Sequence, residues 1–429
     1  MINRPGCDSG LSWHLGRRGR NLLVDHSMAL LAGLRHEAAA LLGDGKAKYL
    51  VTIAGGWGTL LGIRMIYPVV LPYFRSAFDL SLTVAGLLIT VLWLGSALGQ
   101  LPGGLLADRY SERLIMTAGA FTVAGALAVV LIAPTPLALF VATGLVGLGQ
   151  SLYPIARITA LSTIYPDRIG SALGVTMATG DLGQTFSPPI AGALAATIAW
   201  QAGVGFLIPL LLLVGGLLWV ILPDSERTTS TRERSIREVL ATLRGANLLL
   251  VAFLLFLYIL IWQSFTGLYP TYLIEQKGLP EWVASLLFSV FFGFGVLVKP
   301  LAGAAYDRIG MQRSLVAVLI GPIVGLAALP FLEGRVALGV VTALVSTMLG
   351  TGAVTQSFLS DVIPDDIEGT GLGIVRTTSA TLGAAGPVVF GALADRGFFD
   401  EAYLLSAVVL VVVVLLTLRV ETPQAHASA

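Results

Sequence analysis

The chain has 429 residues, of which 55% are hydrophobic and 12% charged, with a mean hydropathy of +0.85. Soluble domains carry about 25% charged residues, so the composition excludes a water-soluble enzyme or a nucleic-acid binder of this size. The lone cysteine, Cys7, cannot form an internal disulfide or a thiolate metal site, and the four histidines (His14, His26, His36 and His426) all lie near the termini. No Walker loop, dinucleotide fingerprint or metal-ligand cluster is present, so no cofactor is expected.

About 20 apolar residues are needed to cross roughly 30 Å of hydrocarbon. The sequence predicts about twelve such segments: 48–72, 82–106, 113–133, 137–161, 170–197, 203–222, 247–272, 282–305, 313–332, 336–360, 370–393 and 402–420. The fifth is the weakest by hydropathy, since it holds Asp181, Gln184 and the pair Pro188-Pro189. The apolar runs are too long and continuous for membrane β-strands. The only long charged stretch between segments is 224–246, which divides a first bundle (48–223) from a second (247–420), with tails at 1–47 and 421–429. Its Ser-Ile-Arg-Glu-Val-Leu run predicts a surface helix.

Placing the N-terminus in the cytoplasm puts Arg17, Arg18, Arg20, Lys46, Lys48, Arg109, Arg113, Arg168, Arg308, Arg313 and the five arginines of the linker inside. Only Arg75, Lys277, Arg335 and Arg396 then fall outside. Both termini are therefore expected in the cytoplasm of a multi-pass plasma-membrane protein. The acidic loop 361–368 falls on the inner side without shifting this balance. Residues 1–27 lack the apolar core of a signal peptide and read as a dispensable tail, with Met28 as an alternative start. Leu30, Leu31, Leu34, Ala38, Leu41 and Leu42 then follow the spacing of an amphipathic surface helix.

A shift of 199 residues aligns the two bundles. Gly104-x-x-x-Asp108-Arg109 meets Gly303-x-x-x-Asp307-Arg308, and Ala85-x-Leu87-Leu88 meets Ala284-x-Leu286-Leu287. Gly174 meets Gly373, Ser187-Pro188 meets Gly386-Pro387, and Gly192 meets Gly391. Two similar halves, related by an axis along the membrane normal, are expected.

The run Gly104-x-x-x-Asp108-Arg109-x-Ser111-x-Arg113, with its second copy Gly303-x-x-x-Asp307-Arg308-x-Gly310-x-x-Arg313, resembles the cytoplasmic loop motif of the major facilitator superfamily. The first copy departs from the pattern at Ser111, where the family prefers glycine, and at Glu112, where a basic residue is frequent. Gly174-x8-Gly183-x3-Ser187-Pro188-x2-Ala191-Gly192 is similar to that family's fifth-helix motif, often associated with antiporters, with two of its glycines replaced by Ser187 and Ala191. At 100° per residue Gly180, Gly183, Ser187 and Ala191 share one stripe suited to close helix contact. The resemblance covers about residues 48–420. It implies an all-α membrane protein of about twelve transmembrane helices in two pseudo-symmetric six-helix bundles, a cavity lined by helices 1, 4, 7 and 10, and a cytoplasmic latch formed by the two loop motifs. It implies a carrier and not an enzyme. A non-transporting receptor on the same fold would add a signalling domain, and none is evident.

Ionisable groups inside the membrane are costly, so each is a candidate functional residue. Arg64 shares a helical face with Trp57 and Tyr67, and Arg157 with Gln150 and Tyr153. Under the 199-residue shift Arg64 maps to Gln263 and Arg157 to Gln356. A pair of guanidinium forks suits a carboxylate or phosphate, so these eight residues form the predicted anion site. Arg157 also reads as a structural residue near the cytoplasmic end. Asp181 is the one acidic residue deep in a segment and is read either as a proton-sensitive group or as half of a permanent Asp–Arg pair. Lys299 is expected to snorkel from a position one turn inside the membrane, and Arg376 to pair with Asp361, Asp365 or Asp366. Phe288, Phe291, Phe292 and Phe294 read as core or lipid-facing. The leading expectation is a monomeric, proton-coupled carrier of a small organic anion, embedded in the lipid bilayer. A proton-driven drug or metabolite exporter is the alternative.

Overall fold

The computed structural model describes residues 43, 45–224, 244–364 and 367–421. The predicted N-terminal amphipathic helix and the linker helix lie outside them. The described residues are helical almost throughout. Helices α1 (Ala47–Phe78), α2 (Leu82–Leu98), α3 (Gln100–Arg109), α4 (Glu112–Leu131), α5 (Pro136–Ser151), α6 (Tyr153–Ile164), α7 (Ile169–Thr197), α8 (Trp200–Gly205) and α9 (Ile208–Ile221) build the first half. The second half contains α10 (Ala246–Glu275), α11 (Glu281–Ala328), α12 (Arg335–Ser346), α13 (Thr351–Val362), α14 (Glu368–Gly383), α15 (Gly386–Asp395) and α16 (Phe399–Thr417).

Nine helical runs among the described residues are long and apolar enough to cross a membrane. One of them, Glu281–Phe331, is 51 residues long and is folded at Gly310, so it covers two predicted segments. The second and fifth predicted segments correspond to α2 with α3 and to α7. Several expected single helices are thus two pieces in line, broken at Gly99, at Leu152 and around Ala384-Ala385.

The two copies of the loop motif turn the chain by different means. In the first, Ser111 is extended (φ −68°, ψ 145°) and its hydroxyl accepts from the Leu114 N–H, capping α4. In the second, Gly310 sits at φ 75°, ψ 175°, a conformation that side chains disfavour. Serine in place of glycine therefore costs the first copy nothing: it uses a cap where the second uses a positive φ.

Within the first half, α1 packs along α7 through small residues. Gly183 faces the Gly58 backbone, Gly180 lies against Trp57 and Leu61, and Gly62 lies against Ser187. Gly174 is exposed with open space around it and takes no part in this contact. In the second half Gly386 meets Ser264 and the Leu260 carbonyl of α10. This close approach replaces the drive of hydrophobic burial, which is weak between helices in lipid.

The halves meet along two seams, α2 with α14 and α15, and α7 with α11, with α1 also touching α10. Chain direction defines two ends. The linker end carries Lys46, Arg109, Arg168, Gly310 and both described termini, and the far end carries the turns at 79–81 and 276–280. Contacts between halves are dense at the far end, where Arg75 pairs with Glu275 and the Tyr73 hydroxyl donates to Glu281. Toward the linker end α6 packs on α1, α3, α4 and α7 of its own half, and α13 on α10, α11 and α14 of the other.

Candidate substrate site

Arg64 lies midway along α1. Its Nε donates to Gln150 Oε1 at 2.9 Å and its Nη2 to Ser96 Oγ at 2.7 Å. The guanidinium stands 4.8 Å from the centre of the Trp93 ring. Gln150 is oriented in turn by donating from Nε2 to the Leu60 carbonyl at 3.1 Å. Trp93 meets Trp262 of the other half edge to face, ring centroids 5.1 Å apart. The arginine therefore sits one aromatic ring away from the boundary between halves.

Arg157, on α6, donates from Nη1 to Thr176 Oγ1 at 2.6 Å and lies 4.2 Å from the Trp57 ring centre. Trp57 stacks on Tyr153, whose hydroxyl donates to the Ile53 carbonyl at 2.9 Å. The Arg157 Nε is buried without a partner.

These contacts redistribute the expected sets. Trp57 serves Arg157 instead of Arg64, and Gln150 serves Arg64 instead of Arg157. Tyr67 is turned away, accepting from Thr143 at 3.4 Å. The physical reason is that α1 lies beside α5 and α6, so a side chain on the neighbouring helix is nearer to each guanidinium than one two turns along its own helix. Ser96, Trp93, Trp262 and Thr176 join the site without any signal in the sequence; each is an ordinary residue in an apolar helix until its neighbour is known.

In the second half, Gln263 is 1% exposed and its Oε1 has no partner, nor has the buried Trp262 Nε1 beside it. Gln356 is exposed and accepts from Arg376 Nη1 at 3.1 Å. Arg376 therefore pairs with an amide of the neighbouring span. Of its expected acidic partners, Asp361 accepts instead from the Tyr306 hydroxyl, and Asp365 and Asp366 lie outside the described residues. No aspartate or glutamate among the described residues pairs with Arg64, Arg157 or Arg376.

Asp181 has a partner that corrects two expectations. Lys299 of α11 reaches it across the seam, Nζ to Oδ1, at 2.5 Å, and Gln184 Nε2 donates to the same oxygen at 3.3 Å. The cation beside Asp181 is a lysine of the other half, not an arginine. Lys299 does not snorkel, because α11 continues for about 11 more residues, roughly 16 Å, before it folds at Gly310.

At the linker end Arg113 pairs with Asp224, the first residue of the linker, at 2.5 Å and lies over Trp219 of its own half. Arg109, Asp307, Arg308 and Arg313 are exposed, and the Asp108 side chain lies outside what is described. Two cavities, about 370 and 380 Å³, lie away from the arginines. One is lined by Leu98, Pro102, Thr122 and Leu148, the other is a groove between α7 and α11 lined by Phe186, Leu286 and Phe294. Both are apolar, and neither supplies the charge an anion needs.

Helices that pack through glycine, two halves in contact along their seams, and two buried guanidinium groups inside the first half, one of them a single aromatic ring from the boundary, fit a polytopic membrane transporter. Residues 52–383 match the Major Facilitator Superfamily, and the chain belongs to that family. It is 25% identical over 390 residues to the hexuronate transporter of Bacillus subtilis (strain 168), spanning 84% of this chain and 91% of that one. It is 26% identical to the sialic acid transporter NanX of Escherichia coli (strain K12), over 72% and 77% of the two chains. The crystal structure of a bacterial homolog of the human lysosomal transporter Spinster, inward-facing and occupied, shares the fold at a TM-score of 0.75 and 13% identity, covering 87% of this chain and 96% of that one. The crystal structure of a mutant of the nucleoside transporter NupG does so at a TM-score of 0.76 and 14% identity, covering 87% and 99%. The chain is thus a transporter of small molecules and not an enzyme.

Proposed function

We propose that this chain moves a small organic anion across the plasma membrane by alternating access, acting as a monomer with both termini in the cytoplasm. The observation that carries this reading is the pair Arg64 and Arg157: two guanidinium groups inside the first half, held by neutral partners and aromatic rings, with no acidic residue among the described residues paired to either. Holding a cation in a membrane without a counter-ion is costly, and an anionic substrate removes that cost each time it binds. Relatives named for hexuronate, sialic acid and 3-(3-hydroxy-phenyl)propionate, each an acid, support a carboxylate. Gln263, with a free amide oxygen on the facing helix, would read a neutral hydrogen-bonding group of the same molecule.

Asp181 is the proposed proton-sensitive group, with Lys299 as the cation that competes for it. The small-residue stripe of α7 favours a second reading, proton-driven efflux, and multidrug resistance proteins are among the relatives. Cationic drugs would, however, meet two arginines that lack acidic partners. The deciding test is uptake into proteoliposomes of a panel of labelled carboxylates, nitrate and a cationic dye, each with and without a proton gradient. Gradient-stimulated movement of a carboxylate is expected; movement of the dye alone would overturn the anion reading.

A further inference from the structure

The loop motif has a third, unpaired copy at the opposite end of the molecule. Gly391-Ala392-Leu393-Ala394-Asp395-Arg396 repeats Gly-x-x-x-Asp-Arg at the far end of α15, where the 199-residue repeat places no counterpart of either linker-end copy. Gly391 and Asp395 are one helical turn apart and face the same way. Both act on the first turn of α2, in the other half. Gly391 lies against the Leu82 carbonyl oxygen and carbonyl carbon, so any side chain there would collide with backbone. Asp395 accepts from the N–H of Leu82 at 2.7 Å, from the N–H of Thr83 at 2.7 Å and from the Thr83 hydroxyl at 2.5 Å.

The first N–H groups of a helix lack acceptors within it and need a cap. In α2 that cap is divided between the halves. Ser81, its own N-cap, accepts from Val84 at 3.3 Å, and the carboxylate of α15 takes the two N–H groups before it. Near the same seam Gly86 lies against the Pro387 carbonyl, and Gly267 against Pro387 and Ile89. A helix whose cap belongs to the opposite half is complete only while the halves are closed at that end.

The geometry points to Gly391–Arg396 as a gate motif of the far end: Asp395 holds that end shut by capping α2 in trans, and it lets go when the far end opens. This inference rests on the alternating-access reading above, but not on the identity of the substrate.

Cys7 is the only cysteine, so Cys7→Ser gives a background free of them. Spin labels on Ile132→Cys and Glu333→Cys, exposed at far-end turns of opposite halves, then report the far-end distance in the full-length protein in lipid nanodiscs. Asp395→Ala is expected to raise the ratio of open to closed distances about tenfold, the effect of losing charge-assisted hydrogen bonds. Thr83→Val, which keeps the backbone bonds and removes one hydroxyl, should raise it about twofold to threefold and serves if Asp395→Ala misfolds. If the parent protein shows both distances and neither variant changes their ratio, the gate motif falls and alternating access stands. If no protein ever shows a second distance, alternating access falls, and the gate with it.

Discussion

The two halves use one frame for different work. Arg64 and Gln263 occupy equivalent positions 199 residues apart, as do Arg157 and Gln356. In the first half the cations are held from two sides: Arg64 by Gln150, Ser96 and Trp93, Arg157 by Thr176 and Trp57. In the second half Gln263 has a free amide oxygen, and Gln356 accepts from Arg376. Repetition therefore keeps what packing needs, glycines and apolar faces, while arginine gives way to glutamine at two buried or polar positions of the second half. On the proposed reading the first half supplies fixed positive charge, and the second supplies hydrogen bonds to a neutral group.

The largest effect expected from erasing this difference is that of Arg64→Gln, which makes the first half resemble the second. It leaves a hydrogen-bonding side chain but removes the charge, and should lower kcat/KM for an anion by about a hundredfold or more, in the range seen when a charge-assisted contact is lost. Uptake of the best carboxylate into proteoliposomes measures it. Transport at the parent rate would show that the charge of Arg64 is not used.

Asp181→Asn tests the seam between the halves. Gradient-driven accumulation should vanish while exchange without a gradient persists. The variant also strands Lys299, so the double variant Asp181→Asn, Lys299→Gln separates the two effects. If the double variant restores accumulation, Asp181 serves as an ion-pair partner and coupling lies elsewhere.

How far the sequence reaches follows the same division. Apolar length, the 199-residue repeat and the loop motifs disclose the helices and the family, because each is a property of one segment or of two segments in fixed register. Partners across helices are beyond it. Asp181 and Lys299 are 118 residues apart with no shared register, and their meeting depends on how α7 and α11 rotate about their axes. Helical spacing assigns Trp57 to Arg64, yet it serves Arg157, since spacing orders side chains along one helix and says nothing of the helix beside it. The bend at Gly310 has a visible sign, glycine where its counterpart is Ser111, but the positive φ that explains it is a property of the folded chain. The third Gly-x-x-x-Asp-Arg is legible as a string, and only its place against α2 gives it meaning.

Gln263→Leu should raise KM about tenfold with little change in kcat for a substrate that carries a hydroxyl, because a buried amide that reads a hydrogen-bonding group is replaced by a side chain that cannot. A carboxylate without hydroxyls should be nearly unaffected. Equal losses for both substrates would mean that Gln263 shapes the helix and does not read the ligand.

The smallest effect concerns how the second arginine is held. Thr176 accepts from Arg157 Nη1 at 2.6 Å and donates to the Leu173 carbonyl at 2.9 Å, so its hydroxyl fixes one edge of the guanidinium to α7. Thr176→Val keeps the shape of the side chain and removes that acceptor. Arg157 keeps its charge and its place over the Trp57 ring, so the anion still binds, but the fork must be ordered by the substrate instead of being ordered in advance. A single hydrogen bond of this kind is worth about 1 kcal/mol, which corresponds to a rise in KM of about fivefold with kcat nearly unchanged. Arg64, held by two side-chain acceptors, should show a smaller response to Ser96→Ala, since Gln150 still fixes its Nε. The comparison is read from initial uptake rates over a range of substrate concentrations. A fall in KM for Thr176→Val would reverse the argument: the hydroxyl would then compete with the anion for Arg157, and the site would bind best when that edge of the arginine is free.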